Sequence, residues 1–343
     1  VVKKVLLVTL LTLTSLAAGA VGNEHEELGT IHWLRDYDRA LELSARTDKP
    51  VLILFQEVPG CATCRNYGLR VLSHPLLAEA AEQLFVPVAV FNNRGGADAE
   101  VLHLFEEPSW NNPVVRIVDA RGRELTRRLA GDYSPGGFSA TMIAALKKTG
   151  ATIPRYLQIA HAELSALGRT DTALLSMFCF WEGELELGAI PGVIATRAGY
   201  IGGSEVVELR YDTSLLSYEQ LLRRASALRC ADRAFPLSGE QRRLAEKVLG
   251  RGRVGSLSSF RADENTKYYL SKTPYRFLPM TEIQKTLINI AVHEGKDPGQ
   301  LLSPRQRQML ESILARADEP WNNLIVSDDF RGDWKSVRDR TGG

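Results

Sequence analysis

The stretch from Pro50 to Cys64 restricts the fold of this chain more than any other. Pro50 opens the continuous apolar run Val51-Leu52-Ile53-Leu54-Phe55, which is the signature of a strand buried on both faces. A few residues later come Val58-Pro59-Gly60-Cys61-Ala62-Thr63-Cys64, followed by Leu69, Val71 and Leu72 in a helical pattern. A C-x-x-C between a buried strand and a helix puts its first thiol at a helix N-terminus, where the macrodipole stabilises thiolate. Half of a structural zinc site is the competing reading. That needs a second ligand pair, and the sequence holds no other C-x-x-C and no His-x-x-x-His. The six histidines are scattered without ligand spacing, so no metal is expected and the motif reads as redox chemistry.

The surrounding segments extend the pattern. Trp33, Leu34, Tyr37, Ala40, Leu41 and Leu43 recur near helical spacing over 32–49, and Lys49-Pro50 ends that helix. Phe85-Val86-Pro87-Val88-Ala89-Val90-Phe91 is a second apolar run; a third enters from Pro113 and leaves through Arg121-Gly122, with a helix to follow over 138–147. With these features the region from about Ile31 to Lys148 resembles the thioredoxin superfamily. In that family the matching proline is cis and lies against the dithiol, which assigns the position to Pro113. The usual tryptophan-containing approach to the motif is replaced by Val-Pro-Gly, so the redox potential does not follow from the resemblance.

Ala173-Leu174-Leu175-Ser176-Met177-Phe178 reads as a buried strand that delivers Cys179. Taken alone, Cys179 would be a strand cysteine packed by aromatic neighbours. The residues beyond it change that reading: Cys179-Phe180-Trp181, Glu184, Gly192-Val193, Thr196, Gly199-Tyr200-x-Gly202-Gly203, Glu205-Val206-Val207 and Tyr211-Asp212. This series resembles the A-type peptide-methionine (S)-S-oxide reductases. The resemblance implies Cys179 as nucleophile, Phe180 and Trp181 as walls around the sulfoxide methyl group, Glu205 as the acid on its oxygen, and Tyr200 as a hydrogen-bond partner of that oxygen. Elementary chemistry asks for the same pairing of thiol and carboxyl group, because a thiolate attacks sulfoxide sulfur only when the oxygen is protonated by a nearby acid. Asp263 and Tyr268 match the family's Asp-x-Gly-x-Gln-Tyr-Arg segment and are candidate substrate-binding residues.

The departures are specific. Phe178 and Glu182 stand where the family has glycine, Lys267 stands for the glutamine, and only Ser204 separates Gly203 from Glu205, where the family carries a loop. The pocket chemistry is therefore expected to persist while substrate recognition has changed. Cys230, at the end of a helical pattern over 218–228, is a candidate resolving thiol that would condense with a sulfenic acid on Cys179; a packed cysteine is the equal alternative.

Charge and termini bound the rest. Lys+Arg 42 against Asp+Glu 41 gives a net charge of +1, so no bulk field favours nucleic acid or an anionic membrane. Val1-Val2-Lys3-Lys4, an apolar run and Ala18-Gly19-Ala20 form the three-part pattern of a secretory signal, shorter than the ~20 residues of a span. The expected architecture is α/β and α+β. A signal peptide (1–22) precedes a thioredoxin-like domain (23–150), a linker helix (151–172), a divergent methionine sulfoxide reductase A-like domain (173–300) and a C-terminal helix and tail (301–343). Within the last parts, Thr281-x-x-Gln284 and Ser303-Pro304 mark helix starts, and 268–280 suggests a strand and turn. The expected function is an exported thiol-dependent oxidoreductase, periplasmic or secreted, without cofactor. It would act on an oxidised-methionine protein or peptide and be served by an external thiol-disulfide electron donor. The alternative is a thiol-disulfide oxidoreductase whose second domain is a non-catalytic client- or partner-binding module.

Overall fold

The computed structural model describes residues 25–110, 113–319, 321 and 329–342; the expected signal segment lies outside them. Two sheets organise the chain. The first is built on Val51–Gln56 (β1), buried along its whole length. β1 runs parallel to Val86–Phe91 (β2) and antiparallel to Val114–Val118 (β3), which pairs in turn with Leu129–Ala130 (β4), giving the order β2-β1-β3-β4. Around it lie Tyr37–Thr47 (α1), Ala62–Tyr67 (α2), Pro75–Leu84 (α3), Ala97–Leu104 (α4), Pro135–Thr149 (α5) and Arg155–Ser165 (α6).

Alternation along the strands divides the apolar side chains between two layers. Val51, Ile53 and Phe55 pack with Val88, Val90 and Tyr37 of α1 on one face. Leu52 and Leu54 point to the other, with Phe138 and Met142 of α5. Burial on both sides explains why β1 reads as a continuous apolar run. The expected helix over 32–49 is shorter at its start. The Leu34 N–H donates to Pro87 O and Leu34 O accepts from Ala89 N–H, both at 2.9 Å, so this residue extends the sheet. The helix begins only where Asp36 caps it by accepting the Arg39 N–H. Pro113 is buried beside β3, but its peptide bond from Asn112 lies outside the described residues, and with it the expected cis geometry.

The second sheet is antiparallel throughout, in the order β8-β5-β7-β6-β9, from Thr170–Ser176 (β5), Val193–Ile201 (β6), Ser204–Asp212 (β7), Arg233–Ala234 (β8) and Arg261–Ala262 (β9). Phe180–Gly188 (α7), Tyr218–Ala227 (α8) and Gly239–Leu249 (α9) accompany it. Gly202 and Gly203, at φ 54° and 82°, make the two-residue turn between β6 and β7. Positive φ at both central positions suits the twist of a tight hairpin and favours glycine. With no longer loop there, Tyr200 pairs directly across from Glu205.

Residues 268–270 are not the expected strand. Tyr268–Ser271 (α10) is a short helix, entered through Lys267 in the left-handed conformation, and the Leu270 N–H bonds to the Asn289 side-chain oxygen at 3.0 Å instead of to a strand. Glu282–His293 (α11) and Pro304–Ala315 (α12) start at capping boxes on Thr281 and Ser303, as their sequences predict. Phe330–Thr341 (α13) ends the described chain. These helices close over the first unit. Ile288, Met309, Trp321 and Trp334 belong to the same core as Leu52 and Phe138. The Arg305 N–H donates to Glu79 Oε1 at 2.7 Å, and Arg331 to Leu69 O at 2.6 Å. No helix among the described residues is long and apolar enough to cross a membrane.

Candidate active site

The chain sets out two thiol centres. At the first, Cys61 is the exposed N-cap of α2 and Cys64 lies buried one turn inside, their sulfurs 3.6 Å apart. The Cys64 backbone N–H directed at the Cys61 sulfur holds that thiol below its ordinary value, against the opposing effect of burial. Cys64 is pushed up to about 12, by burial first and by the neighbouring Cys61 second. One sulfur is thus ready as a nucleophile and the other is held in reserve as a thiol. The approach is fixed by backbone contacts: the Gly60 N–H donates to Glu27 Oε1 at 2.7 Å, and the Val58 N–H to Asn93 Oδ1 at 3.2 Å. A Cβ on Gly60 would fall 2.6 Å from Cys64 Cβ, so a glycine is required to bring the two together. The ligand atoms of Glu57, Cys61 and Cys64 lie within 4.8 Å of one another, the cluster among the described residues in which a metal could be held. Two of its three members are the dithiol itself.

At the second centre, β5 ends at Ser176 and Cys179 is the half-buried N-cap of α7. The next backbone N–H, that of Phe180, donates to Glu205 Oε2 at 2.9 Å. The Phe180 ring meets Tyr200 edge-on at 5.2 Å between centroids. Trp181 stacks on Tyr268 at 4.2 Å and 20°, and its indole N–H reaches Asp263 Oδ2 at 3.4 Å. Phe180, Trp181, Tyr200, Glu205, Asp263 and Tyr268 are therefore gathered beside Cys179 from α7, the β6–β7 hairpin and the 263–268 segment. Phe178, where the resembled family has glycine, is 94% exposed at the rim.

Cys230 is placed differently. It is buried in the core with Met177 and Phe180, and its thiol lies 3.5 Å from Leu228 O. Burial pushes that thiol up to about 11, with Glu186, Glu182 and Asp232 adding to the effect. It lies toward the Cys179 end of β5, since the Asp232 N–H donates to Ser176 O at 2.8 Å.

What holds the second pocket together is partly invisible in the sequence. The buried Glu184 carboxylate accepts from Lys267 Nζ at 3.0 Å, the Lys267 backbone N–H at 2.7 Å and Thr266 Oγ1 at 3.2 Å. Lys267 Nζ also donates to Thr196 Oγ1 at 2.6 Å. This clamp fastens the segment carrying Asp263 and Tyr268 to α7 and β6. Glu184 stood in the sequence pattern; Lys267 carried no signal beyond occupying the place of a glutamine. Nothing local to Glu57 in the sequence marks its proximity to both thiols.

Comparison with known proteins bears on both centres. Residues 32–120 match the thioredoxin-like family model. In the C-terminal region the chain is similar to peptide methionine sulfoxide reductase MsrA of Cronobacter sakazakii, 28% identical over 155 residues, covering 31% of this chain and 73% of that protein. It is also similar to MsrA of Escherichia coli, 27% identical over 165 residues, covering 34% and 78%. A match to peptide methionine sulfoxide reductase A5 of Oryza sativa subsp. japonica is 38% identical over 66 residues, covering 16% of this chain and 26% of that protein. Among solved structures, a DsbH oxidoreductase aligns with TM-score 0.30 and 20% identity, covering 36% of this chain and 89% of that one. The chain thus carries a thioredoxin-like domain followed by a region similar to methionine sulfoxide reductases, and its class is that of an oxidoreductase.

Proposed function

We propose that the chain is an exported enzyme that reduces methionine S-sulfoxide in a protein or peptide and is recharged through its own dithiol. The observation that carries this reading is the Glu205 carboxylate hydrogen-bonded to the amide next to Cys179, with Tyr200 directly across the hairpin. Cys179 thiolate attacks the sulfoxide sulfur, Glu205 supplies the proton to the oxygen and Tyr200 hydrogen-bonds it. Methionine leaves, and Cys179 keeps the oxygen as sulfenic acid. Phe180 and Trp181 enclose the methyl group, while Asp263 and Tyr268 complete the wall.

A second thiol then condenses with the sulfenic acid, releasing water and forming a disulfide. Cys61, exposed and lowered, is suited to that step; Cys230 would first have to leave the core. Cys64 displaces Cys179 from Cys61, which returns Cys179 as thiol and leaves Cys61 and Cys64 oxidised. An external dithiol restores the pair. A tethered dithiol raises the effective concentration of the reductant to the order of millimolar. Export rests on the pattern of residues 1–22.

The test is reduction of a methionine sulfoxide peptide, one diastereomer at a time, with dithiothreitol as reductant, in wild type and Cys179→Ser. S-selective turnover that disappears in the variant is expected. Equal turnover in both proteins, or none with either diastereomer, would remove the reading.

A further inference from the structure

Glu57 brings a carboxylate to the dithiol. The ligand atoms of Glu57, Cys61 and Cys64 all lie within 4.8 Å of one another, and the two sulfurs are 3.6 Å apart. Two thiolates bound at about 2.3 Å to one tetrahedral ion stand about 3.8 Å apart, so the pair already has close to the spacing of two ligands of a single zinc. The flexible Glu57 side chain closes the remaining distance by rotation. The loop that carries it is held in place. Within it the Val58 N–H donates to Asn93 Oδ1 at 3.2 Å, Asn93 Nδ2 donates to Pro59 O at 3.2 Å, and the Gly60 N–H donates to Glu27 Oε1 at 2.7 Å. One pinned stretch, 57–64, thus presents all three groups. No ion pair among the described residues takes up the Glu57 carboxylate. A carboxylate beside two sulfurs that react as thiolates is repelled by both, and a shared cation removes that repulsion.

We propose that the reduced dithiol and Glu57 form a three-ligand site for Zn²⁺, two thiolates and one carboxylate, with the fourth position left to water beside the exposed Cys61. The donor set selects the metal. Sulfur ligands disfavour Mg²⁺ and Ca²⁺, whereas thiolate and carboxylate in tetrahedral array suit zinc. The second cysteine or histidine pair that the sequence lacks is needed for a closed structural site; an open site is complete with three protein ligands. Binding releases the protons of the two thiols and breaks no other covalent bond. Both sulfurs are then coordinated, and neither attacks a disulfide or a sulfenic acid. When an external disulfide takes two electrons from the pair, Cys61 and Cys64 join, the external disulfide leaves as two thiolates and the ion is released. Zinc and oxidant therefore compete for the same sulfurs, and free zinc restrains the thiol exchange of this centre. The site needs only the reduced dithiol and does not rest on the sulfoxide reading.

The probe is Zn²⁺ itself, titrated without oxygen into the full chain carrying Cys179→Ser, reduced and then freed of reductant, in competition with a chromophoric zinc chelator. One ion per chain is expected in the reduced protein and none after diamide has oxidised the dithiol. Glu57→Gln should weaken binding at least about tenfold. Co²⁺ in place of Zn²⁺ should show the visible bands of a tetrahedral ion with thiolate ligands. Should Glu57→Gln fail to fold by circular dichroism, Glu57→Ala carries the same comparison. No binding to the reduced protein, binding that persists after oxidation, or an affinity that replacement of Glu57 leaves unchanged overturns the proposal.

Discussion

The carboxylate of Glu205 accepts the backbone N–H of Phe180 at 2.9 Å, the amide immediately after Cys179. One contact therefore locks this carboxylate on β7 to the helix that begins at Cys179. Glu205→Gln keeps the acceptor and so the geometry, but removes the proton. Sulfoxide reduction is expected to fall about 10²- to 10⁴-fold, while the rate of Cys179 alkylation by iodoacetamide in a variant lacking the other cysteines stays within about threefold. A comparable loss in both assays would mean that Glu205 positions the pocket and does not act as its acid.

The dithiol predicts asymmetric reactivity. Thiolate is the attacking form, so the lowered Cys61 retains it to lower pH than an ordinary cysteine. With Cys64 near 12, the fraction of its thiolate at pH 7 is about 10⁻⁵. Brief iodoacetamide treatment of the reduced protein at pH 7, read by peptide mass spectrometry, should label Cys61 and spare Cys64. Equal labelling at the two positions would contradict the arrangement.

Glu184 and Lys267 form a buried ion pair with side-chain exposures of 0% and 8%. Removing one partner strands the other charge away from water. Lys267→Met should cost about 3–5 kcal/mol in urea unfolding, and the double replacement Glu184→Leu with Lys267→Met should recover a large part of that. Additive losses would show that the clamp works through packing alone.

His74 is buried against Phe330, with its ordinary value of 6.5 lowered to about 3 by burial first and Arg331 second. Below pH 6.5 the unfolded chain binds a proton that the folded chain refuses, so this contribution to stability is intact above 6.5 and is lost as the pH falls toward 3. At pH 5 the loss is 1.5 units, about 2 kcal/mol. His74→Gln should flatten the difference in urea-unfolding free energy between pH 7 and pH 5 by roughly that amount; an unchanged difference would refute the assignment.

The sequence announces what is local. β1 is marked by unbroken apolarity, the starts of α11 and α12 by Thr281 and Ser303, and Cys61 by its place ahead of a helix. Of the matched residues, Phe180, Trp181, Tyr200 and Glu205 touch one another beside Cys179, while Tyr211 turns to Asp171 at the far end of the sheet. What could not be read is long-range. The Trp181–Tyr268 stack joins residues far apart in the chain, and Lys267 meets Glu184 only because a left-handed residue starts α10. The same distance misled the reading of 268–270, whose aromatic run favours strand by propensity. Asn289 on α11 takes the Leu270 amide and settles the matter in favour of helix.

Arg331 binds the carbonyl of Leu69 across 262 residues, and Trp321 and Trp334 fill a core begun by Trp33 and Leu52. The first sheet's core is therefore finished by a segment that follows it by some 262 residues. At ribosomal speeds of 5–20 residues per second, that leaves the face later covered by α12 and α13 bare for roughly 10–50 s. A nascent chain truncated before residue 304 should hold a sticky, protease-sensitive surface and engage chaperones even after its first sheet has formed.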